Sequence, residues 1–269
     1  MFELAQDLPG TLKRARQARR LSQLELSYRV GVSQRHVSFV ETGRAKPSRQ
    51  LLLGWLAELD VPLALRNAAL LQAGFAPVYD ARPLGDPGLA AADEAIRHLL
   101  AAHDPMPALV IDAGWNLLRL NRGGRWLAAT LLPWSTELPL DPAVNLLDLF
   151  LHPEGFTRSL VNLREVGPAF LAHLREDAAA HPELAPRVEA YAELLRARLG
   201  AAALTASWGR PAPPVLTSRF ATPHGELAFF SMFTTFGTPQ NITLASLRVE
   251  HLFAADATTR AVLEASVFR

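Results

Sequence analysis

The sequence predicts a multi-domain chain, with an all-α domain of five short helices followed by an α+β domain built on an antiparallel sheet. Three observations predict it. The chain has 269 residues, more than one ordinary domain needs. Up to Gly74, helix-capping residues and glycine or proline breaks recur at short intervals. Beyond Pro87, β-like apolar runs appear as a pair, then give way to helical stretches, then return as three more.

Composition narrows the possible functions. With 49% hydrophobic and 20% charged residues the chain can build large cores and is not disordered overall. No apolar run approaches the ~18 residues of a membrane span. Residues 1–10 carry Glu3 and Asp7 without an apolar core, so they do not read as a secretory signal. The absence of cysteine excludes disulfides, thiolate zinc sites and a cysteine nucleophile, and is compatible with a cytoplasmic location. The net charge of +1 hides an asymmetry. Residues 1–66 hold 11 Lys+Arg against 6 Asp+Glu, and the rest holds 16 against 20. A basic head on a slightly acidic body points the head toward a polyanion. Because arginine outnumbers lysine 25 to 2, a single arginine says little about a chosen contact.

In the first domain, residues 12–20 form a basic helix. Ser22 and Glu25 are spaced as a capping box for a helix over 23–29, which Gly31 ends in a left-handed turn. Ser33 caps a helix over 34–40. Gly43 breaks it, Pro47 and Ser48 open the next, and Pro62 starts a fifth that ends near Gly74. Leu24, Leu26 or Tyr28, Val32, Val37 and Val40 supply the apolar side.

The run from Gln23 through Gly31, Ser33, Gln34, Val37, Val40 and Gly43 to Ser48 resembles the helix-turn-helix of the phage-repressor-like XRE family, over about residues 8–73. The resemblance implies that the second helix enters the major groove of double-stranded DNA. Gln34 and Arg35, at its start, then reach base edges, where Gln suits adenine and Arg suits guanine. Ser33 lies at the cap of that helix, and Ser38 one turn on meets a base or a phosphate. Gln23 meets a phosphate and braces Gln34. Arg44 and Lys46 form a phosphate-contacting edge.

Three prolines and a glycine in 75–87 make a semi-rigid connection, which places the domains at 1–75 and 89–269 with a linker over 76–88. In the second domain a helix over 89–103 turns Ile96, Leu99 and Leu100 inward. Strands over 108–112 and 115–121 form a hairpin around Ala113 and Gly114. Helices are expected over 122–132, 143–151, 158–179, 183–199 and 256–267. Strands are expected over 215–220, 226–236 and 243–253.

This order is PAS-like. The segments Pro107 to Asp112, Asn145 to Phe150, Leu160 to Asn162, Phe233 to Pro239 and Leu244 to Glu250 resemble the ligand-binding domain of MmyB-like regulators, over about 90–267. The family usually has tryptophan where this chain has Leu163. The resemblance implies a fatty-acid-like effector. Independently, residues 226–236 are uncharged on both strand faces apart from Glu226, so both faces must be covered, by an ordinary core, a partner subunit or an apolar ligand. Asn162, Arg164, Phe230, Met232, Thr234 and Thr235 are the candidate ligand contacts.

No metal-binding His pattern, nucleophile elbow, phosphate loop or dinucleotide turn is present, so neither an enzyme nor a cofactor is expected. The expected protein is a dimeric transcription regulator that reads an operator and senses a small apolar effector. Its rivals are a regulator whose second domain only dimerises, and an enzyme fused to a DNA-binding head.

Overall fold

The computed structural model describes residues 7–134, 144–205 and 215–268. They divide into two compact units. One is the chain up to Asp86 together with Gly237–Ala245, and the other is Pro87–Phe236 with Ser246–Arg269. Among the described residues no helix is long and apolar enough to cross a membrane.

The first unit holds α1 (Leu8–Ala18), α2 (Gln23–Val30), α3 (Gln34–Glu41), α4 (Arg49–Glu58) and α5 (Leu63–Gln72). Four of the five starts are fixed by a local side chain. Asp7 accepts from the Gly10 amide, Ser22 from Glu25, Ser33 from His36 and Ser48 from Leu51. Each such cap contributes about 1 kcal/mol. Because Asp7 caps and Pro9 suits a first turn, α1 begins four residues before the basic run suggested. Gly31, at φ 70°, takes the left-handed conformation that lets α3 follow α2 closely.

Leu12, Leu26, Val37, Val40, Leu52 and Trp55 fill the core. Leu24 is exposed, contrary to the apolar side expected of it, and of the alternatives Leu26 and Tyr28 it is Leu26 that is buried. With Leu26 inward, residues two before and two after it are turned well away from the core. A buried ion pair joins the helices: Arg16 Nε and Nη2 donate to the Glu41 carboxylate at 2.7 and 2.8 Å. After α5 the chain is not a free connection. Asn67 accepts from the amides of Val78 and Tyr79 and donates to the Tyr79 carbonyl at 2.7 Å. Asp80 then pairs in parallel with Asn241, its carbonyl accepting from the Ile242 amide at 2.7 Å.

The second unit begins with a 3-10 turn and α6 (Ala90–His103), then β1 (Ala108–Ile111), β2 (Leu117–Leu120) and α7 (Arg122–Leu131). Next come α8 (Leu146–Leu151), α9 (Phe156–Ser159), α10 (Leu163–Ala180), α11 (Ala185–Leu199) and α12 (Ala201–Thr205). The chain closes with β3 (Thr217–Thr222), β4 (Gly225–Thr234), α13 (Ile242–Ser246), whose residues up to Ala245 group with the first unit, then β5 (Arg248–Ala254) and α14 (Ala257–Ser266). The five strands form one antiparallel sheet in the order β2-β1-β5-β4-β3. One apolar cluster joins Ile111, Leu117 and Phe229 of the sheet to Leu171 of α10 and Tyr191 of α11. Behind the sheet, the Thr259 hydroxyl of α14 accepts from the Ala228 amide, and His103 of α6 bonds the Leu252 carbonyl.

Several local expectations are corrected here. The β1–β2 connection is not a two-residue turn but spans 112–116, because Asp112 accepts from the Asn116 amide and Trp115, at φ 62°, turns into the core. Leu99 is exposed while Ile96 and Leu100 are buried. The expected helix over 158–179 is split, since Leu160 leaves helix to bridge Phe220 of β3. Residues 243–246 are helical rather than strand, because the Asn241 side chain accepts from the Leu244 amide. The expected start, at 143, of the helix over 143–151 lies outside the described residues. Gly123 sits so close to the preceding loop that a Cβ there would lie 2.2 Å from the Pro105 carbonyl oxygen.

Candidate functional site

Two sites emerge, one in each unit. In the first, Val37 and Val40 anchor α3 to the core, and the same helical phase leaves Gln34 and Arg35 exposed at its N-terminal end. The Ser33 hydroxyl is taken up by its cap. The Arg35 guanidinium lies 5.1 Å from the centre of the Phe39 ring and that of Arg44 lies 6.0 Å from it, so one aromatic ring gathers two cations beside the helix. Lys46 is exposed in the following loop and Ser38 is half-buried. Gln23 donates from Nε2 to Glu41 at 2.8 Å, joining the Arg16 ion pair. Contact with the Glu41 carboxylate also holds the Arg16 guanidinium above its ordinary pKa. The resulting surface offers amide and guanidinium donors at a helix start with further cations alongside, a set suited to base edges and phosphates.

In the second unit the sheet and its covering helices leave a cavity of about 510 Å³. Leu109, Leu117, Leu127, Phe170, Tyr191 and Phe229 supply much of its wall. Burial pushes the Tyr191 phenol up, so it stays neutral. The polar wall consists of few groups, among them His173, Ser231 and Glu250. Desolvation raises the pKa of Glu250, against the opposing effects of the Ser231 hydroxyl and the Arg248 guanidinium. At one side Asp177 accepts from Trp115 Nε1 and from Arg248 Nη1, both at 2.8 Å, and Arg248 lies over the Trp115 ring at 5.1 Å. Among the described residues no three His, Asp or Glu side chains gather as a metal site.

The family model of the MmyB-like transcription regulator ligand binding domain matches residues 92–265, and a helix-turn-helix family model matches residues 12–65. The chain belongs to the MmyB-like transcription regulators. No curated protein matches it. It is a DNA-binding transcription regulator with a ligand-binding domain, and its first unit is of the XRE type.

In this MmyB-like domain the six ligand candidates separate. Phe230 and Met232 border the cavity, but the Phe230 ring stacks on Phe253, on the side of the sheet where His103 packs. Asn162 is spent on structure, donating to the Thr217 carbonyl and Glu165 and accepting from the Arg219 amide. Arg164 is exposed on α10 and is not among the residues that line the cavity. The Thr234 hydroxyl bonds His251 Nε2 at 3.0 Å, in a cluster with His103 behind the sheet, and Thr235 is exposed beyond β4. Leu163 is buried at the start of α10. Within 226–236 the chain itself covers Leu227, Ala228 and Phe229, while Met232 is 58% exposed and Phe233 39%. The outer half of β4 is therefore not covered by the chain's own core. Sequence reasoning missed Glu250 and His173. For Glu250 the signal was a carboxylate beside His251 in the short strand-like run from Val249 to Phe253.

Proposed function

We propose that this regulator binds operator DNA through α3 and changes its DNA affinity when a small apolar, fatty-acid-like molecule enters the second unit. The cavity carries this reading. Its volume falls within the ~300–1,000 Å³ of small-molecule sites, and its wall is apolar with a few polar groups. The chain acts as a homodimer whose two recognition helices meet half-sites about 34 Å apart on a near-palindrome. The effector shifts the balance between DNA-competent and incompetent forms by binding one more tightly. Gln34 and Arg35 read bases, while Arg44 and Lys46 hold phosphates.

Covalent continuity offers a route for that shift. The cavity strands β4 and β5 are joined by a stretch whose residues Gly237–Ala245 group with the first unit and pair with the linker at Asp80. The test is to extract what co-purifies with the full chain, identify it by mass spectrometry, and measure binding to a selected operator with and without it. A copurified apolar molecule that changes operator affinity supports the reading. Equal affinity of the emptied and loaded protein overturns it.

A further inference from the structure

The polar wall of the cavity says what kind of head group an occupant carries. We propose that the ligand presents an uncharged hydrogen-bond acceptor, such as an amide carbonyl, a hydroxyl or a protonated acid, to the carboxyl of Glu250, with His173 Nε2 as a second partner. This rests on the cavity being the ligand site. Glu250 stands on β5, the central strand, directly paired with Leu109 of β1 and Phe233 of β4. The ring of Phe233 in turn lies 6.0 Å from that of His173 on α10. His173 Nε2 is buried without a hydrogen-bond partner, its closest carboxylate being Asp177 at 3.8 Å.

The charged and polar groups around Glu250 are few. Arg248 on β5 is engaged by Asp177 of α10 at 2.8 Å and is held over Trp115. The Ser231 hydroxyl of β4 already hydrogen-bonds the Glu250 carboxyl, and β1 contributes only Leu109. Arg248, bonded to Asp177, and the Ser231 hydroxyl only partly offset the burial of a charge on this apolar wall, and burial raises the Glu250 pKa. In its neutral form the carboxyl, with one oxygen accepting from Ser231, still has one proton to donate, and that donor needs an acceptor. A carboxylate head would set two like charges together. A cationic head would first require Glu250 to ionise.

The experiment displaces a neutral fluorescent probe, phenylnaphthylamine, from the full-length protein with decanamide, decanol, decanoate and decylamine, at about pH 5 and about pH 8. Decanamide and decanol should compete at concentrations about tenfold lower than decanoate or decylamine at the higher pH, and decanoate should recover on acidification. Glu250→Gln, isosteric and without a titrating proton, should weaken the discrimination against decanoate and abolish its dependence on pH. The ranking on the unaltered protein stands even if that variant folds poorly. Tightest binding by decylamine, lost in Glu250→Gln, would overturn the assignment in favour of an ionised Glu250. Tightest binding by decanoate at both pH values would place the head group elsewhere. Failure of every compound to displace the probe would instead count against the cavity as a site for apolar ligands.

Discussion

Arg16 on α1 and Glu41 at the end of α3 form a two-pronged ion pair at 2.7 and 2.8 Å, with their side chains 10% and 1% exposed. Gln23 of α2 adds a third hydrogen bond to the same carboxylate, so one buried group fixes three helices, including the one that presents Gln34 and Arg35. Glu41→Ala leaves a buried guanidinium without its partner and is expected to cost about 3–5 kcal/mol in chemical denaturation of the first unit. Replacing both partners together, as Arg16→Met with Glu41→Leu, should cost far less than that single change. A single variant that melts like the unaltered chain would show the pair to be dispensable.

On DNA, the exposed side chains should divide by role. Arg35→Ala should lower discrimination among operators by about 1–3 kcal/mol at the base it reads. Lys46→Ala should weaken all sequences alike and reduce the salt slope by about one. Binding titrations over several salt concentrations separate the two effects. Indistinguishable behaviour of the two variants would end the division into reading and anchoring residues.

Gly123 tests how tightly the loop before β1 is packed. Its position leaves no room for a Cβ, which would meet the Pro105 carbonyl oxygen at 2.2 Å. Gly123→Ala is expected to cost about 3 kcal/mol, at the upper end of overpacking changes, because the obstacle is backbone and cannot swing aside. A urea midpoint for the second unit measures it.

Ala169 of α10 faces the cavity, so Ala169→Trp should fill part of it. Displacement assays should then show about tenfold or greater loss of affinity for apolar ligands, with the melting temperature held or raised. Undiminished affinity would move the binding site away from this wall.

Glu250 also links stability to pH. Its pKa in the folded protein is raised above the ordinary 4.5, so the native state holds the proton more tightly than the unfolded chain. The resulting stabilisation is complete below 4.5 and is lost as pH rises through the raised value. Thermal melts of Glu250→Gln should therefore gain on the unaltered protein as pH increases through that window and match it in acid. The opposite trend would mean that Glu250 is ionised in the folded state.

What could be read beforehand was local. Ser22, Ser33 and Ser48 fixed helix starts because capping depends only on residues within one turn. The prominence of Gln34 and Arg35 likewise followed from the two valines, Val37 and Val40, that turn the other side of α3 inward. Long-range pairings hid the rest. The partners Arg16 and Glu41 are 25 residues apart, and a basic helix gives no sign of which arginine is buried. The loop after β1 depends on Asn145, which donates to the Gly114 carbonyl from 31 residues away. Asn162 resembled a ligand contact for the same reason: short polar side chains inside apolar stretches serve backbone closure as readily as recognition. The cavity could be anticipated only as uncovered apolar surface on β4, since its polar wall is assembled from β4, β5 and α10.

The order β2-β1-β5-β4-β3 has a consequence for synthesis on the ribosome. The first two strands make one hairpin and the third and fourth make another, and neither touches the other until β5 arrives to lie between them. A nascent chain that has not yet extruded residue 254 therefore carries two separate ribbons, each with an unsatisfied hydrogen-bonding margin. Translation arrested ahead of Arg248 would release a polypeptide primed for intermolecular strand exchange rather than a shortened sensor.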